Sequence, residues 1–123
     1  MRKRGFTLLE ILVVIIIIGI LATLALPQYM KTTKKARAAE AISNIGSIRG
    51  AELRYYQEND VLSSDLSKLD VENPATLTRS YFDYTVSGDS PSNLTITATG
   101  KGIMSNVTIT YTATDGKIVT SGL

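Results

Sequence analysis

The sequence predicts an α+β fold: one long N-terminal α-helix whose second half packs on a C-terminal antiparallel sheet of about four strands. Three observations predict it. Phe6 to Leu26 is an unbroken apolar run with a single charge, Glu10. Apolar residues then recur at helical spacing from Ala38 to Tyr56. From Ser80 onward the pattern changes to two-residue alternation between turn signals.

Size and composition bound the function. A chain of 123 residues suits one small domain plus an anchor. Of 13 basic residues, Arg2, Lys3 and Arg4 are three; the other 10 face 11 acidic residues. The slight basicity is therefore no nucleic-acid signal. The chain has neither Cys nor His, so disulfide and thiol chemistry are excluded, and the usual metal and nucleophile chemistry is not expected. The acids Asp65, Asp70, Asp83 and Asp89 stand apart with no flanking base, so no enzyme and no cofactor is expected.

Residues 1–5, Met1-Arg2-Lys3-Arg4-Gly5, read as targeting sequence rather than fold. As a helix, the apolar run after them would span roughly 31 Å, the thickness of a bilayer's hydrocarbon core. An ordinary signal peptide cut near Thr23-Leu24-Ala25 is the alternative; the length of the run and an acid near its start argue against it. Basic residues lie on both sides, with Lys31, Lys34, Lys35 and Arg37 after the run, so charge does not orient the span. A carboxylate at mid-bilayer costs about 3 kcal/mol, less near the interface, and such an acid is usually paired or functional. Glu10 is therefore a candidate site residue; the alternative is a side chain that snorkels to the interface. Pro27 has no N–H for the carbonyl of Thr23 and its ring clashes there, so the freed carbonyl needs another partner and the helix is expected to bend at least modestly.

The helix should continue to about Asn59, with Ala38, Ala41, Ile42, Ile45, Ile48, Leu53 and Tyr56 facing the sheet. Arg49 and Glu52 interrupt this stripe at a spacing that allows them to pair. Ala39, Ser43, Gly46, Ser47 and Gly50 form a small-residue face, suited to close approach by another subunit or merely softening the helix. Residues 60–79 read as a loop, with Ser63-Ser64-Asp65 capping a short turn through Leu69, and Asn73-Pro74 blocking a helix. Strands are expected at Tyr81–Val86, Asn93–Thr99, Val107–Thr112 and Lys117–Thr120, the last pair joined through Asp115-Gly116, as a meander. The outward threonines read as strand propensity rather than an adhesive face. Asn93-Leu94-Thr95 and Asn106-Val107-Thr108 match the N-glycosylation pattern and are read as chance.

The stretch MRKRGFTLLEILVVIIIIGILATLALPQY resembles the N-terminus of a type IV prepilin: a basic leader, Gly, Phe-Thr-Leu-Leu-Glu, an apolar helix, and Pro where the helix leaves the membrane. The resemblance implies the pilin fold. Residues 1–5 become the prepilin leader peptide, 6–27 the transmembrane and filament-core helix, and 28–59 its amphipathic second half. Residues 60–79 become the αβ-loop and 80–123 the sheet, which forms the globular domain with 28–59. It implies cleavage by a prepilin peptidase between Gly5 and Phe6, and N-methylation of Phe6. It implies filament assembly through Glu10, paired with a neighbouring subunit's amine, and a kinked or melted segment between Gly19 and Pro27. The implied function is that of a major pilin, a structural subunit of a type IV pilus supporting adhesion, motility or DNA uptake. The implied partners are further copies of the chain in a helical filament, the peptidase, an assembly ATPase, a platform protein, a secretin, and membrane lipid before assembly. The implied location is the inner membrane first and an extracellular pilus (fimbrium) afterwards. A pseudopilin of a type II secretion system is the alternative. Such proteins typically carry a calcium site near the C-terminus, where this chain offers only Asp115 beside Gly116. A membrane-anchored periplasmic binding module or enzyme is a further alternative, for which no site signature stands out.

Overall fold

A computed structural model describes residue 5, residues 7–77 and residues 80–123. The first element is α1, Leu8–Asn59, 52 residues with Pro27 inside it. The chain divides into two units between Thr33 and Lys34. In the first unit every described residue up to Thr32 is exposed, including Ile15 to Ile18 and Leu24. By length and composition this part of α1 can cross a membrane. An apolar surface this continuous is not left in water by a soluble monomer.

The second unit has its own core. Along α1, Ala38, Ala41, Ile45, Ile48, Ala51 and Glu52 are buried. Opposite them lies one four-stranded antiparallel sheet in the order β1-β2-β3-β4. The strands are β1 (Phe82–Ser87), β2 (Thr95–Gly100), β3 (Thr108–Thr112) and β4 (Lys117–Ser121). Alternation puts Phe82, Tyr84 and Val86 of β1, Ile96 and Ala98 of β2, and Ile109 of β3 into the core. The register pairs Tyr84 with Ala98 and Ala98 with Ile109, so one apolar face runs unbroken across three strands. Met104, Leu66 and Leu69 close its margins. Strand β4 is exposed along its whole length.

The core differs from the expected stripe. Ile42 is 36% exposed, and Leu53 and Tyr56 are half-buried, while Ala51 and Glu52 take the inner positions. Buried positions 38, 41, 45, 48 and 52 follow alternating three- and four-residue steps, and Leu53 and Tyr56 fall to the side of that line. Arg49 and Glu52 do not pair. Tyr111 on β3 accepts from Arg49 Nε at 2.9 Å, and Glu52 turns inward to accept the N–H of Ser63 at 2.9 Å. The small residues Ala39, Ser43, Gly46 and Ser47 are exposed.

The connecting loop is built from caps. Asp65 accepts from the N–H of Ser67 at the start of a 3-10 turn, Leu66–Lys68. Asn73, read only as a helix breaker with Pro74, caps a second turn, Pro74–Thr76, in which proline occupies a first-turn position that needs no N–H. A two-pronged pair, Arg54 to Asp70 at 2.7 and 2.8 Å, ties the loop to α1.

Glu52 carries a testable consequence. Its Oε1 is buried without a partner, and burial raises its pKa while the Ser63 N–H draws it down. A raised folded pKa means its contribution to stability is full below the unfolded value and is lost as pH rises through the folded one. Glu52→Gln, which keeps an acceptor for Ser63, is expected to remove that loss and raise stability at neutral pH by on the order of 1 kcal/mol. Thermal unfolding of both proteins across pH 4 to 8 checks this; equal pH slopes would contradict it.

Candidate assembly helix and its N-terminal cap

The predicted site residues lie on or beside the exposed part of α1. Phe6, the residue expected to be exposed by cleavage and methylated, lies outside the described residues, as do residues 1–4 of the leader. Gly5 is exposed, and a Cβ added there would meet nothing within 4 Å.

Glu10 is held by Thr7. The carbonyl of Thr7 accepts from the N–H of Ile11 at 3.2 Å, which makes Thr7 the cap of α1. Thr7 Oγ1 accepts the N–H of Glu10 at 3.1 Å, and Glu10 Oε2 accepts the N–H of Thr7 at 3.1 Å. This reciprocal pair is a capping box, satisfying two backbone donors that have no partner within the helix. It also puts a negative charge in the first turn, where the helix dipole favours it. Sequence reasoning missed Thr7. The signal was available, because Thr-x-x-Glu ahead of an apolar run is a capping-box pattern.

Gly19 and Pro27 are both helical. The Gly19 carbonyl takes a hydrogen bond from Thr23 Oγ1 at 2.8 Å, and a Cβ on Gly19 would meet nothing within 4 Å. In this single chain the residues from Gly19 to Pro27 all lie within α1. The ingredients for unwinding are present: a glycine, a proline and a hydroxyl competing for a backbone carbonyl.

Outside the helix the acids have structural tasks. Asp65 caps a turn, with its pKa lowered first by the Ser67 hydroxyl. Asp70 lies opposite Arg54, which lowers its pKa. Asp83 accepts from Lys101 at 3.2 Å, and Asp89 bonds Asn93. Among the described residues no group of three or more acids comes together in a way that would hold a metal ion.

Residues 1–26 match the family described as "Prokaryotic N-terminal methylation motif". The chain is 34% identical over 99 residues to a fimbrial protein, EcpC, of Eikenella corrodens, covering 80% of this chain and 63% of that protein. It is 33% identical over 79 residues to a type IV major pilin protein, PilE, of Neisseria gonorrhoeae, covering 64% of this chain and 47% of the relative. It is 48% identical over 59 residues to a type II secretion system core protein G of Pectobacterium carotovorum, covering 48% and 38%. The chain thus spans less than two thirds of the length of each of these relatives. No solved structure matches it. The methylation motif, the relatives named as pilins and fimbrial proteins, and a long apolar helix joined to a four-stranded antiparallel sheet together support a type IV pilin.

Proposed function

We propose that this chain is the structural subunit of a type IV pilus, polymerising through the first half of α1 after its leader is removed. The observation that carries this reading is the bare apolar surface of α1 up to Leu26, which needs either lipid or other copies of itself. Cleavage between Gly5 and Phe6 by a prepilin peptidase would create an amine on Phe6, four residues before Glu10, and methylation would follow there. Glu10 then pairs with the amine of a neighbouring subunit. That pairing offsets the cost of burying both charges and sets the axial register. The segment from Gly19 to Pro27 unwinds as subunits pack. The assembly ATPase, platform protein and secretin are the partners this route requires. The subunit starts in the inner membrane and ends in an extracellular fibre. It supplies shape and self-association rather than catalysis.

A type II secretion pseudopilin is the second reading, favoured by the 48% identity to core protein G. The similarity to the fimbrial protein extends over 99 residues, against 59 for the secretion protein, and this favours the pilus. Gly5 is where the reading is tested. Gly5→Trp is expected to leave full-length precursor in the membrane and reduce fibres by more than tenfold, seen by immunoblot and electron microscopy. Normal trimming of that variant would remove the peptidase from the scheme. Fibres extending beyond the cell surface at native expression would decide for the pilus over the pseudopilus.

A further inference from the structure

We infer that Lys31, Lys34 and Lys35 form a docking site for anionic phospholipid headgroups at the bilayer surface. This rests on the reading of α1 as a membrane span and names the lipid class that the span recruits. The charge pattern is one-sided, since no acidic residue occurs between Glu10 and Glu40. Arg37 is already engaged: it lies over the Tyr81 ring at 4.2 Å and 3.8 Å from Glu40. The three lysines form no ion pair among the described residues, and Lys31 and Lys35 are exposed. They follow one another along α1 at i, i+3 and i+4, close enough to share one headgroup.

Their depth suits the task. Counting from Leu26 at about 1.5 Å per residue, the lysines lie about 7 to 14 Å along the helix, at and just beyond the layer of headgroups. Side chains on an α-helix tilt toward its N-terminus, which here is the membrane side. Flexible methylene stems then carry the three ammonium groups back down to the phosphates. Tyr29, 68% exposed and just ahead of Lys31, is the amphipathic ring expected at that boundary. Basic residues flanking a span attract anionic lipid, each by about fivefold in local occupancy. Lipid zwitterionic overall gives no such gain.

The test uses the full chain reconstituted in phosphatidylcholine vesicles containing trace spin-labelled phosphatidylglycerol or spin-labelled phosphatidylcholine. The wild-type protein is expected to immobilise the anionic probe several-fold more than the neutral one. The triple variant K31Q/K34Q/K35Q is expected to lose at least threefold of that preference with the leader's Arg2, Lys3 and Arg4 intact. About 0.5 M salt, where screening acts within a few ångströms, should do the same to the wild type. Equal immobilisation of both probes, or an unchanged preference in the triple variant, overturns the lysine site while leaving the span in place. Immobilisation of neither probe, with the protein extracted by carbonate, overturns the span and the lysine site together.

Discussion

Glu10→Ala is expected to insert into the membrane normally yet yield at least tenfold fewer fibres, and Glu10→Gln separates the two reasons. Glutamine at this position retains the capping box, because its side-chain carbonyl can accept the Thr7 N–H that Glu10 accepts at 3.1 Å. It loses only the charge. If Glu10 acts by capping, Glu10→Gln should assemble like wild type, and Glu10→Ala should lose about 1 kcal/mol of helix stability. If it acts by meeting an amine, both variants should fail alike. We expect both to fail, because two opposite charges brought together out of water lose far more when one is deleted than a cap is worth. The cap has a further use under this reading. It holds the carboxylate in one orientation on the first turn of α1 before a neighbouring subunit's amine arrives, so less side-chain freedom is lost on pairing. Thr7→Ala removes the hydroxyl that accepts the Glu10 N–H, while keeping the charge and the backbone N–H that the carboxylate accepts. It should assemble more slowly but to a similar yield. Pelleting of sheared fibres, normalised to membrane-inserted subunit, reads all three variants. Full fibre yield from Glu10→Gln would end the charge-pairing account.

What could be read from the residues depended on how far apart the causes lay. The meander was legible because Phe82, Tyr84 and Val86, then Ile96 and Ala98, alternate within single strands, and Asp115-Gly116 announces its own turn; Gly116 has φ 66°. The capping of the first loop turn was legible for the same reason, since Asp65 acts on Ser67. Glu52 was not. A carboxylate on the core side of a helix reads as an interruption, and only the Ser63 N–H, 11 residues away, makes its burial tolerable. Arg49 was assigned to Glu52 by spacing, but a tyrosine 62 residues away holds it. For the assembly helix, Glu10, Gly19 and Pro27 stood out because each violates what an apolar helix prefers. Thr7 did not stand out, because a threonine beside an apolar run violates nothing. The role of Gly100 was hidden altogether, since it depends on where a carbonyl four residues later comes to rest.

That hidden constraint predicts the largest effect on folding. A Cβ on Gly100 would lie 1.7 Å from the Met104 carbonyl oxygen and 2.9 Å from that of Val107. Both obstacles are backbone, so no side chain can step aside. The turn after β2 curls back here through a 3-10 segment, Gly102–Met104, and Gly100 donates to the Val107 carbonyl at 2.8 Å. Val107 in turn donates to Met104 at 2.9 Å. Making room for a methyl group therefore opens both bonds and lifts Met104 and Val107, 0% and 1% exposed, from the core. Two hydrogen bonds and part of two buried side chains amount to about 2 to 4 kcal/mol. For a domain this small, Gly100→Ala should lower the melting temperature by roughly 10 to 25 °C. Two other glycines separate this clash from a general intolerance of alanine. Gly46 is helical with nothing within 4 Å, so Gly46→Ala should stabilise by up to about 1 kcal/mol. Gly122 has the same kind of clash, 1.8 Å from the Asn106 carbonyl oxygen, but it directly follows β4, an edge strand exposed along its whole length. An exposed edge strand can shift with little loss of buried area, so Gly122→Ala should cost less than Gly100→Ala despite nearly equal overlap. Thermal melts of the three variants in one detergent would rank them. A Gly100→Ala protein melting within about 2 °C of wild type, well under 1 kcal/mol, would mean that the turn after β2 does not take this path.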